Sequence, residues 1–125
     1  MKLNWARLHT LALEEVEATL AAMPPQLRAR AQALPVTFER HPNRAHICDG
    51  IEPDTLGLFV GAEFAEEERT TVPLPPQIIL FLENLWDQAE ANETVFRQEV
   101  RTTLLHELGH YLGLNEKELT DRGLE

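Results

Sequence analysis

One cysteine, two methionines and one tyrosine are spread over 125 residues, and aromatic residues make up only 6% of the chain. With Cys48 alone, no intramolecular disulfide forms, so oxidation does not hold this fold together. The thiol is expected to be buried or half-buried, as free cysteines usually are. No base stands near it in the sequence to make it a nucleophile. Positive charge is also scarce: 11 Lys and Arg face 21 Asp and Glu, for a net charge of −10. Such a surface suits neither a polyanionic backbone nor an anionic membrane, so neither nucleic acid nor membrane is expected as a partner. No apolar run reaches the length of a membrane span. The opening Met1-Lys2-Leu3-Asn4-Trp5-Ala6-Arg7 leads to Glu14, Glu15 and Glu17 rather than to an apolar signal core, and a cytoplasmic protein is the default expectation. Internal repeats, low-complexity tracts and linkers are absent too. The length fits a single domain over residues 1–125, and a hydrophobic content of 43% is enough for one core. Nothing in the sequence selects an oligomeric state.

What is present reads as alternating helical and extended segments. Trp5, Leu8, Leu11, Ala12, Val16, Thr19, Leu20 and Met23 follow helical spacing, and Pro24-Pro25 ends that helix. Residues 26–33 form a second short helix with Pro25 preset for its first turn. Residues 34–40 alternate, with Val36 and Phe38 one way and Thr37 and Glu39 the other, as a half-buried strand does. Residues 41–54, with Pro42, Asn43, Gly50 and Pro53, read as a loop in which His41 and His46 have surface or hydrogen-bonding roles. A second strand covers 56–60. The polar segment 62–76, with Glu63, Glu66, Glu67 and Glu68, reads as a solvated loop. Gln77-Ile78-Ile79-Leu80-Phe81-Leu82 is the strongest strand, held extended at its start by Pro75-Pro76. Residues 83–91 read as a short helical or irregular connector bearing Trp86. Asn92 then caps a long helix whose apolar stripe is Val95, Phe96, Val100, Thr103, Leu104, Leu108, Tyr111 and Leu112.

The last turns of that helix carry the most informative residues. His106, Glu107, His110, Gly113 and Glu116 spell HExxHxxGxxE. In a shuffled chain of this composition HExxH is expected at ~0.03 and the extended pattern at ~0.0002, so accident explains it poorly. On a helix, His106 and His110 stand one turn apart on one face, where their imidazoles can bind one metal ion together. Glu107 lies beside them and can take the proton of a water held by that ion. Gly113 permits the turn that ends the helix. Glu116 then arrives as an anionic third ligand. Helix carbonyls at this end carry partial negative charge, which suits a dication. Together these residue types describe a zinc hydrolase site with Zn2+ as cofactor.

At these residues the chain resembles the small bacterial zincin-like metallopeptidases called minimal zincins, whose pattern HExxHxxGxxD lies near the end of a chain of about this length. Leu56-Gly57-Leu58-Phe59-Val60-Gly61, Pro75-Pro76-Gln77-Ile78-Ile79-Leu80-Phe81 and Val100-Arg101-Thr102-Thr103-Leu104-Leu105 also resemble the family's strands and its approach to the motif. The resemblance implies an α+β, minimal zincin-like fold. In it a small mixed β-sheet packs on helices, and these include a C-terminal metal-binding helix. The departure is Glu116 where the family usually has Asp. A longer carboxylate still ligates zinc, and Asp121 and then Glu118 are the alternative third ligands. The metzincin variant does not fit, because it needs a third His at this position and a Met-turn, and Met1 and Met23 are the only methionines.

The implied activity is that of a zinc metallopeptidase, a hydrolase acting on a peptide or protein substrate. His106, His110 and Glu116 are its metal ligands and Glu107 its general base. An extended substrate is expected to pair along an edge strand, with residues 77–82 as the candidate. No residue is singled out as oxyanion donor. Tyr111 falls on the apolar stripe and is expected in the core, while His46 or a loop group remains open. The alternative is a zinc-binding interaction module without hydrolytic turnover, which would hold metal for folding or docking. Against it, a purely structural site has no need of Glu107.

Overall fold

The computed structural model describes residues 4–61, 76–114 and 117–118. Helix α1 (Trp5–Ala21) starts at Asn4, whose side chain accepts from the backbone N–H of Arg7, and its stripe of Leu8, Leu11, Ala12, Val16 and Thr19 is buried. Helix α2 (Pro25–Gln32) follows with Pro25 in its first turn and Leu27 and Ala31 buried. Strand β1 (Val36–Glu39), helix α3 (Arg44–Cys48), strands β2 (Gly57–Val60) and β3 (Gln77–Phe81) and helices α4 (Leu82–Gln88) and α5 (Glu93–Leu112) complete the order.

The three strands form a mixed sheet in the order β1-β3-β2. β1 runs parallel to β3, with Val36 opposite Ile78 and Phe38 opposite Leu80. β2 runs antiparallel to it, with Gly57 opposite Leu80 and Phe59 opposite Ile78. Strand periodicity therefore puts Val36, Phe38, Gly57, Phe59, Ile78 and Leu80 on one face. Beneath that face lie α1, α4 and α5, which supply Leu8, Leu11, Leu85, Trp86, Phe96, Val100, Leu104 and Leu108 to the core. Trp86 and Phe96 meet edge-to-face at 5.7 Å between centroids, tying α4 to α5. Burying each such Leu or Phe contributes about 1.5–3 kcal/mol.

Three expectations need correction. β3 is the central strand and is paired on both sides, so its backbone groups are already taken and it cannot template an extended substrate. Residues 41–54 are not all loop: α3 occupies Arg44–Cys48. Its capping box is built by Asn43, whose side chain accepts from His46 N–H, and by His46, whose Nδ1 accepts from Asn43 N–H at 3.1 Å. The His46 ring stands edge-on to Phe81 at 5.6 Å, so α3 covers part of the sheet face that Ile79 and Phe81 occupy, opposite the larger helices. Finally, Cys48 is exposed rather than packed, because α3 lies on the surface and buries none of its residues. The acidic segment of Glu63, Glu66, Glu67 and Glu68 lies outside the described residues. Among the described residues, no helix is long and apolar enough to cross a membrane.

Candidate metal centre

Helix α5 positions the site. Asn92 caps its start, accepting from Val95 N–H at 3.0 Å. Its core stripe of Phe96, Val100, Leu104, Leu108 and Tyr111 fixes its rotation about its own axis. At its end Gly113 adopts a left-handed conformation, φ 71° and ψ 27°. Gly113 N–H donates to His110 O at 3.2 Å and Leu114 N–H to Gly109 O at 2.7 Å. This is a Schellman termination, and a side chain at position 113 would strain it. The chain therefore turns sharply just after the second histidine.

With α5 held in this rotation, its exposed flank carries His106 and His110, whose ring centroids are 4.7 Å apart with planes at 64°. Glu107, one residue on, is 6% exposed, while the His110 side chain is 52% exposed. The Glu107 Oε2 atom lies 3.3 Å from His110 Nδ1. The Glu107 carboxylate thus lies on the Nδ1 side of the His110 ring. One potential ligand atom from each of His106, Glu107 and His110 lies within 4.8 Å of the others. Two imidazoles facing solvent beside a sheltered carboxylate form a donor set that zinc accepts. The residues present therefore fit a metal ion.

Glycine at position 57 explains how Glu107 comes to be sheltered. A Cβ there would meet Thr103 Cγ2 at 2.5 Å, Leu80 Cδ2 at 3.3 Å and Glu107 Cγ at 3.5 Å. The bare backbone of β2 lets the strand lie directly on α5 and cover the acid. The loop before it is pinned by Asn84, whose side-chain amide donates to Pro53 O at 2.8 Å and Thr55 O at 2.9 Å. Gly57 falls inside the strand expected over 56–60. Glycine inside a strand is a signal for a close backbone approach, and the signal was there to be used.

The remaining candidates fall elsewhere. Tyr111 is buried in the core as expected, its ring 5.6 Å from that of Phe59. His46 is committed to its capping box, and His41 is exposed with Nδ1 3.2 Å from Pro42 O. Neither belongs to the His106, Glu107, His110 group, and Glu118 does not either. Glu116 and Asp121 lie outside the described residues.

Residues 31–124, about three quarters of the chain, match a family model described as zincin-like metallopeptidase. No curated protein matches the chain.

Proposed function

The chain belongs to the zincin-like metallopeptidases, and from that premise we propose that it is a zinc-dependent peptidase acting at His106, Glu107 and His110. The observation that supports this reading is the convergence of the three side chains within 4.8 Å, with the acid sheltered and the imidazoles exposed. His106 and His110 would hold the ion as neutral imidazoles, and Glu116 would complete the protein shell. When bound, the ion supplies Lewis-acid activation of a water and of the scissile carbonyl. Glu107 takes the proton from the attacking water and returns it to the departing amide nitrogen. Its contact with β2 holds the carboxylate at one height along the helix, so both transfers start from a fixed base. β2 lies at the side of the described sheet against α5, so an extended peptide would pair with Gly57–Val60 rather than with β3. The lone cysteine agrees with a reducing compartment, and a cytoplasmic site of action is part of the proposal.

The Glu107→Gln variant separates this reading from a zinc-binding interaction module. The peptidase reading expects zinc content equal to that of the parent. Peptide hydrolysis should fall by about 10²–10⁴-fold, the usual contribution of a general base. Equal hydrolysis by parent and variant, on any peptide that is cleaved, would remove Glu107 from its role.

A further inference from the structure

The flank of α5 that turns away from the metal-binding residues carries a second, unassigned feature. A cleft of about 260 Å3 opens between α1 and α5. It is lined by Glu15, Ala18, Thr19, Ala22 and Met23 from α1 and the turn after it, and by Arg101 and Leu105 from α5. Two of these side chains carry orphaned polar atoms: Thr19 Oγ1 and Arg101 Nη1 are both buried and have no hydrogen-bond partner among the described residues. Thr19 as a whole is 7% exposed. Buried polar groups are nearly always partnered, and a guanidinium nitrogen above all seeks an anion. Other arginines in this acidic chain show what is missing. Arg7 pairs with Glu93, Arg40 with Glu83, and Arg97 with Glu14 and Glu15.

We propose that the cleft between α1 and α5 binds a small monocarboxylate with a short aliphatic group, its carboxylate taken by Arg101 and Thr19. The guanidinium and the hydroxyl each donate one hydrogen bond, which matches the two oxygens of a carboxylate. Ala18, Ala22, Met23 and Leu105 offer apolar walls for the aliphatic part. Glu15 lines the same cleft, with its carboxylate 3.8 Å from Arg97 Nη1, and this disfavours a dianion such as phosphate. Binding requires a rotamer change at Thr19 and Arg101 that brings these two buried groups to the cleft. The ligand chemistry is shared by a free short-chain acid and by the C-terminus of a peptide ending in an aliphatic residue. None of this depends on metal binding at His106 and His110.

The test is a titration of the 15N-labelled full chain with isovalerate, N-acetylleucine and the neutral isostere isovaleramide, followed by amide chemical shifts. Saturable shifts are expected at Ala18, Thr19, Ala22, Arg101 and Leu105 with either acid. Isovaleramide should bind at least about ten-fold more weakly, the cost of losing a charge-assisted hydrogen bond. Arg101→Met, and independently the near-isosteric Thr19→Val, should weaken the acids by a similar factor. Tighter binding of N-acetylleucine identifies a peptide terminus as the source, and tighter binding of isovalerate identifies a free acid. Shifts that do not saturate overturn the proposal, as does equal binding of acid and amide. Shifts confined to residues 106–113 also overturn it, because they would place the acid at the metal-binding residues.

Discussion

Position 57 shows how much one side chain decides here. Because a Cβ would fall 2.5 Å from Thr103 Cγ2, Gly57→Ala must push β2 and α5 apart. Overpacking of this kind costs about 1–3 kcal/mol. Thermal unfolding should show that loss, and peptide hydrolysis should fall with it as Glu107 loses its support. Thr103→Ser removes the obstructing methyl group, so the double variant should recover most of both losses; additive losses would show that the contact is not the cause. The histidines and the acid were legible in the sequence because helical spacing alone puts positions 106, 107 and 110 together. Gly57 was legible only as a place of close backbone approach, because which element approaches depends on a helix that arrives some fifty positions later. Cys48 was misread for a related reason: the tendency of free cysteine to be buried says nothing about whether its own element reaches the core, and α3 does not.

Elements with strong local signals were read well. α1 ends one turn before Pro24-Pro25, and α5 runs from the Asn92 cap to Gly113. α3 escaped because a single turn is too short to show a period, and the N3 position of its capping box holds His46 rather than the usual Glu or Gln. β3 was recognised as a strand but placed at an edge, since apolar content marks burial without naming neighbours. Docking between elements also has an ionic part. Arg7 near the start of α1 donates to both carboxylate oxygens of Glu93 at the start of α5, at 3.1 and 2.9 Å. The hydrogen bond with Arg7 holds the Glu93 carboxyl below the usual carboxylate range, while Arg7 itself is raised. A lowered carboxyl stabilises the fold above its unfolded-state value, and that stabilisation fades as pH falls through the lowered folded value. Glu93→Gln should therefore reduce the melting temperature slightly at neutral pH, and parent and variant should converge in acid. A gap that widens on acidification would contradict the ion pair's role. The pair is exposed, so added salt should narrow the gap as well.

At the scale of the whole molecule, a small sheet supports the 20-residue helix α5, and that helix presents His106, Glu107 and His110 near its C-terminal end. The order of α1, α2, β1, β2, β3 and α5 followed from hydrophobic pattern, while strand adjacency and the seam between α1 and α5 arise only when the chain closes on itself. The net charge of −10 gives the surface a field that draws cations toward it from a distance. A dication at the end of α5 would meet two ready imidazoles there. Zinc content of the chain purified without chelator, beside His106→Ala and His110→Ala, decides whether those imidazoles act together. One zinc per parent chain and near-complete loss in each variant is the expected result. Substoichiometric zinc in the parent, or unchanged zinc in either variant, would show that the two histidines do not share an ion.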